Sequence, residues 1–125
     1  MTQRQIQSYR DLTTWQEAMN LAEECYYLTR LFPKDELYGM ISQIRRSASS
    51  IPANIAEGYG RKSTAEYVRF LYISQGSLKE LETHLLLSDR VKLASNEKII
   101  TALNKCERVG KLLGGLIRSL EKNIR

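Results

Sequence analysis

Apolar residues recur along this chain at intervals of three and four, the spacing that places side chains on one face of a helix, and they do so in four separate segments. In the first, Trp15, Ala18, Met19, Ala22, Tyr26 and Thr29 share a stripe that must end by Pro33, whose ring and missing amide cannot continue a helix. In the second, Ile41, Ile44, Ala48, Ile51 and Ile55 alternate steps of three and four, as in the seam of a bundle. Pro52 falls inside that pattern and removes the hydrogen bond to the carbonyl of residue 48, which predicts a bend rather than a break. Gly58 and Gly60 then read as the end of the helix. Ser63-Thr64-Ala65-Glu66 has the form of a capping box, placing the start of a third helix at Thr64. That helix should run to about Asp89, with Tyr67, Phe70, Leu71, Ser74, Leu78, Leu81 and Leu85 inward. A fourth begins after Ser95, with Glu97 near the positive end of its dipole, and turns Ile99, Leu103, Cys106, Gly110, Leu113, Ile117 and Leu120 to the core.

The connections, about Pro33 to Glu36, Gly60 to Ser63 and Val91 to Ser95, are short, and short connections join antiparallel neighbours. The expected fold is all-α: an antiparallel up-down-up-down four-helix bundle over residues 13–125, preceded by a polar tail over residues 1–12.

Two helices carry more than one conspicuous face. On the third, Val68, Tyr72, Gly76, Thr83 and Leu86 or Leu87 lie away from the core stripe. Either that helix is central and buried on two sides, or the face meets another subunit, with Gly76 allowing close approach; self-association is the favoured reading. On the second, Gln43, Arg46, Ser50, Asn54, Glu57 and Arg61 lie opposite the isoleucine seam. They can form a hydrogen-bonded subunit contact, an anion-binding surface whose geometry Glu57 sets, or a solvated face with an incidental ion pair; the subunit contact is favoured. On the fourth, Arg108, Lys111, Arg118 and Lys122 fall within about 80° of one another, with Gly115 among them and Arg125 extending the row. No acidic residue after Glu97 is expected in the middle of this face, which makes a basic stripe about 20 Å long. Such a stripe can track a phosphate backbone; the alternative is a solvated lysine-rich face.

Composition narrows the classes. At 125 residues, 42% hydrophobic and 26% charged, with two prolines and seven glycines, the chain reads as one globular domain, neither disordered nor membranous. It has no apolar run long enough to span a bilayer and no apolar block at Met1-Thr2-Gln3-Arg4-Gln5, so the expected compartment is the cytoplasm. A net charge of +5 favours anionic partners. Cys25 and Cys106 are isolated, as reduced core or edge residues would be, with a disulfide as the minor alternative. His84 is the only histidine, so neither a triad nor a paired Glu-x-x-His metal site can be assembled, and Glu80 precedes it by four residues rather than three. Gly58-x-Gly60 follows a helix, not a strand, and lacks the rest of a phosphate loop. Catalytic residues, metal, cofactor and small-molecule substrate are therefore not expected. The tyrosines are scattered, with no stacking platform, so any nucleic-acid binding should be salt-sensitive and weakly sequence-specific.

The segment Ser50 to Lys62, Ser-Ile-Pro-Ala-Asn-Ile-Ala-Glu-Gly-Tyr-Gly-Arg-Lys, preceded by Tyr38-Gly39 and by Ser42-Gln43-Ile44-Arg45-Arg46-Ser47, resembles the small four-helix-bundle proteins encoded in bacterial 23S rRNA intervening sequences. The accessory variability proteins of diversity-generating retroelements look like relatives. The resemblance runs from about Tyr9 to near the C-terminus, through Leu12, Trp15, Leu31-Phe32-Pro33, Gly76-Ser77 and Glu80-Leu81-Glu82-Thr83. It implies a cyclic homo-oligomer, a pentamer, with a basic surface that binds nucleic acid, RNA or DNA, and in the retroelement branch a reverse transcriptase. The expected function is a non-catalytic basic scaffold for RNA or for a ribonucleoprotein enzyme such as a reverse transcriptase. The competing expectation is a structural protein-interaction module that binds no nucleic acid.

Overall fold

The computed structural model describes residues 5–124. Four helices, α1 (Thr13–Thr29), α2 (Ser42–Tyr59), α3 (Thr64–Arg90) and α4 (Asn96–Glu121), make up most of it, and no strand occurs among the described residues. α1 and α3 each pack on both α2 and α4. Cross-contacts fix the directions. Arg45, early in α2, reaches Thr29 at the end of α1. Ser50 and Ser74 pair with Ser77 and Ile51 across α2 and α3, and Asp89 and Tyr72 meet Asn96 and Glu121 across α3 and α4. Every consecutive pair is antiparallel, giving the up-down-up-down bundle that the short connections predict.

Local chemistry sets the helix starts. Ser63 Oγ accepts from the Glu66 amide at 3.1 Å, so α3 begins at Thr64 as expected, but only half the capping box forms because the Glu66 carboxylate turns to Arg69 instead. Ser95 Oγ caps α4 through the Lys98 amide. Ahead of α1, Ser8 and Asp11 cap a single 3-10 turn, Tyr9–Asp11. Tyr9 then sits edge-on to Trp15 with ring centroids 5.2 Å apart, and Leu12 packs on the core. Residues 8–12 therefore lie on the bundle. Between α1 and α2 the chain makes a 3-10 turn, Lys34–Glu36, and a π-helical turn, Leu37–Ile41, bent at Gly39; the Glu36 carboxylate accepts from the Met40 amide there.

The α2 seam is as the sequence predicts: Ile41, Ile44, Ala48, Ile51 and Ile55 are all buried, and each buried isoleucine contributes about 1.5–3 kcal/mol of transfer free energy. The helix continues through Pro52. Gly58 requires a correction, because it lies inside α2 rather than ending it. A Cβ there would stand 2.7 Å from Phe70 Cβ, so this glycine lets α2 and α3 approach closely; Gly60 alone is the cap. The α3 stripe is buried from Phe70 to Leu85, with Tyr67 at its margin. Val68, expected on the outer face, joins the core instead. In α4 the expected positions face inward, supplemented by Ala102 and Val109.

α1 departs most from expectation. Its buried stripe is Thr14, Ala18, Leu21, Ala22, Cys25, Leu28 and Thr29, whereas Met19 and Tyr26 are 44% and 40% exposed. The helix carries apolar residues on two overlapping faces, and packing against both α2 and α4 selects the one centred on Leu21 and Cys25. Cys25 and Cys106 are both free and buried. Burial pushes the Cys25 thiol up to about 12 and raises Cys106 as well, so neither offers a reactive thiolate.

Candidate interaction surfaces

Arg108, Lys111, Arg118 and Lys122 all project from the outer surface of α4 and are exposed. Arg125 lies outside the described residues. The stripe is less uniform than its sequence suggests. Arg108 Nε is 3.1 Å from a Glu17 carboxylate oxygen on α1, and Lys111 Nζ is 3.4 Å from Glu107 one turn back. Glu107 therefore borders the face, and Glu17 reaches it from the neighbouring helix. Arg118 and Lys122 have no carboxylate partner among the described residues. The Arg118 guanidinium folds back over the backbone of Gly114 and Gly115, with Nη1 3.2 Å from where a Gly114 Cβ would stand.

The polar face of α2 meets α3 within the same chain. Arg46 bridges Gln43, at 2.8 Å, and the Glu80 carboxylate of α3; His84 Nε2 is 3.3 Å from the same carboxylate. Hydrogen bonding to Arg46, then to His84, holds the Glu80 carboxyl below its ordinary value. One turn on, the Ser50 and Ser77 hydroxyls are 2.8 Å apart, and Asn54 Nδ2 donates to the Ser50 carbonyl and hydroxyl. Glu57 and Arg61 pair at 2.8 Å, and the Arg61 guanidinium lies 4.6 Å from the Phe70 ring centroid. Gln43, Arg46, Asn54, Glu57 and Arg61 thus form one polar seam, and α3 supplies several of its partners. Arg46, Ser50 and Arg61 reach α3, whereas Gln43, Asn54 and Glu57 bond along α2 and its end.

α3 also presents an apolar outer surface. Tyr72 is 48% exposed, Leu86 52% and Leu87 46%, and Gly76 and Thr83 are exposed beside them. Nothing lies within 4 Å of where a Gly76 Cβ would stand. The helix is therefore not covered on both sides within one chain. The Tyr72 hydroxyl donates to Glu121 of α4 at 2.9 Å, which raises the tyrosine's pKa. A second apolar feature was missed at the sequence level, an open groove of about 720 Å³ between α1 and α2 lined by Trp15, Met19, Tyr26, Pro52 and Ala53. The signal lies in the two overlapping apolar faces of the first helix: Met19 and Tyr26, on the stripe expected to face the core, line the groove instead.

Among the described residues, no three His, Cys, Asp or Glu side chains converge as a metal site would require, and no helix is long and apolar enough to cross a membrane.

The family model described as 23S rRNA-intervening sequence protein matches residues 10–115. A crystal structure of a protein of unknown function from the S23 ribosomal protein family of Bacteroides thetaiotaomicron superposes with a TM-score of 0.78 at 27% identity, covering 84% of this chain and 98% of that one. No curated protein matches the chain.

Proposed function

The chain belongs to the 23S rRNA-intervening sequence protein family, and on that premise we propose that it is a non-catalytic, self-associating scaffold that holds RNA on the outer face of α4. The observation that carries this reading is the row of four exposed cations on α4, two of them without a carboxylate partner among the described residues. Such a row displaces the counterions condensed on RNA phosphates, which makes binding salt-dependent and tolerant of sequence. The apolar outer surface of α3 and the α1–α2 groove are the contacts through which copies would associate. A ring of five, taken from the family resemblance, repeats the stripe and multiplies a weak contact into avidity. The RNA can be free or part of a ribonucleoprotein enzyme such as a reverse transcriptase. In this reading Tyr72, Gly76 and Thr83 serve the subunit contact, while Gln43, Arg46, Asn54, Glu57 and Arg61 hold α2 against α3 and set the shape of the face that meets a neighbour.

A protein-interaction module without nucleic-acid binding is the second reading, favoured by the ion pairs at Arg108 and Lys111 that offset half of the stripe. The quadruple variant Arg108→Gln, Lys111→Gln, Arg118→Gln, Lys122→Gln separates the two. Loss of RNA retention with an unchanged oligomer is the result the scaffold reading expects; RNA retention equal to that of the native chain supports the interaction module.

A further inference from the structure

A second cationic feature lies at the other end of the bundle, where α1 ends and α2 begins. The end of α1, the turns after it and the first coil of α2 line an open pocket of about 250 Å³. Three of its lining side chains are cations, Arg30, Lys34 and Arg45, and none is a carboxylate. Phe32 and Ile41, both buried, supply an apolar floor, with Leu37 at the rim. Among the described residues none of the three cations has a carboxylate partner. The adjacent acidic residues do not serve: Glu36 accepts the Met40 amide, and Asp35 does not line the pocket. Like charges gathered without a counter-charge repel, and an anion between them relieves that repulsion.

Arg45 is held in place for such a ligand. Its Nε donates to Thr29 Oγ1 at 2.9 Å. That hydroxyl is fixed in turn, because Thr29 is 1% exposed and donates to the Cys25 carbonyl at 2.8 Å. The guanidinium also lies 4.6 Å from the Tyr26 ring centroid. These contacts occupy Nε and one face of the group and leave both terminal nitrogens for a bidentate acceptor, the arrangement by which arginine grips phosphate. Arg30 is similarly steadied over Tyr27, at 5.1 Å.

We propose that this pocket binds a phosphate monoester, that of a mononucleotide or of a nucleic-acid strand end, with the phosphate on Arg45, Lys34 and Arg30 and the adjoining sugar against Phe32 and Leu37. A monoester dianion suits a pocket lined by three cationic side chains better than the single charge of an internal phosphodiester does. The pocket is separate from the α4 stripe and is tested without it.

Isothermal titration calorimetry of the full chain near physiological salt, with inorganic phosphate, adenosine 5′-monophosphate and adenosine, reads the proposal directly. Phosphate and the monophosphate should bind and adenosine should not. Arg45→Gln should weaken the monophosphate about tenfold or more. Lys34→Gln, on the exposed turn, should weaken it severalfold with no change in thermal unfolding, which keeps the test sound should the Arg45 variant lose stability. The variant neutralised at the four α4 positions should bind the monophosphate like the native chain, so failure of the RNA scaffold and failure of this pocket give different results. A short RNA with a 5′-phosphate, set against its 5′-hydroxyl form, distinguishes a strand end from a free nucleotide. Equal binding of the monophosphate and adenosine, no binding of any probe, or binding unchanged in both variants would overturn the proposal.

Discussion

The polar face of α2 and the basic face of α4 look alike in sequence, each a row of charged and amide side chains opposite an apolar stripe, yet the molecule uses them differently. On the polar face of α2 and its end, Arg46 pairs with Glu80 and Arg61 with Glu57, and Ser50 and Asn54 are hydrogen bonded. On the α4 face Arg108 and Lys111 are paired, and Arg118 and Lys122 have no carboxylate partner among the described residues. Several of the residues most characteristic of the sequence are therefore paired within the chain, Arg46 and Ser50 with α3 and the others along α2 and its end, while two cations of the plainer lysine and arginine row have no carboxylate partner among the described residues. Distinctiveness in a sequence is no guide to which face remains available for binding.

The largest effect should come from disturbing the helix contact beside the α2 seam. Gly58→Ala drives a methyl toward Phe70 Cβ, 2.7 Å away, and should cost about 1–3 kcal/mol of stability in urea unfolding, as overpacked contacts do; an unchanged midpoint would mean that α2 and α3 separate easily and the seam carries little. Next, removing the same charge from either face sharpens the contrast. Arg118→Gln with Lys122→Gln should weaken RNA binding about tenfold and lower the salt slope by about one to two. Arg46→Gln with Arg61→Gln should leave the affinity within about twofold, and equal losses would show that any surface cation serves. Ser74→Ala deletes the buried hydrogen bond to the Ile51 carbonyl, 2.8 Å long, and should cost about 1 kcal/mol without altering RNA binding.

The smallest effect is a pH dependence. The Glu80 carboxyl titrates below its ordinary value of 4.5 because of Arg46 and then His84, so its contribution is present above that value and is lost as pH falls through the lower folded-state value. The side chain is 38% exposed, which limits the contribution to a few tenths of a kcal/mol after solvent screening. Arg46→Gln should therefore be slightly less stable than the native chain at pH 7, with the gap shrinking toward pH 3. A gap that stays constant would assign the loss to something other than this pair.

Much of the fold was legible because α2, α3 and α4 each have a dominant apolar stripe at helical spacing, and Ser63 and Ser95 mark helix starts by chemistry that acts within one turn. What was not legible depends on neighbours distant in sequence. α1 has two overlapping apolar faces, and only its packing partners decide that Leu21 and Cys25 go inside while Met19 and Tyr26 line a groove. Gly58 resembles a cap until α3 lies against it. For the α4 face, Glu107 could have been found by periodicity, since it borders the stripe one turn from Lys111, whereas Glu17 could not, because it arrives from another helix. The pocket at Arg45 was hidden for the same reason: its cations come from a helix end, a turn and the next helix.

Size-exclusion chromatography with light scattering, on the native chain with and without a structured RNA at low and moderate salt, tests the central claim most directly. The account predicts an oligomer of ring size, five copies, that takes up RNA at low salt and releases it as salt rises. A monomer whose elution RNA does not change would contradict both the self-association and the RNA binding.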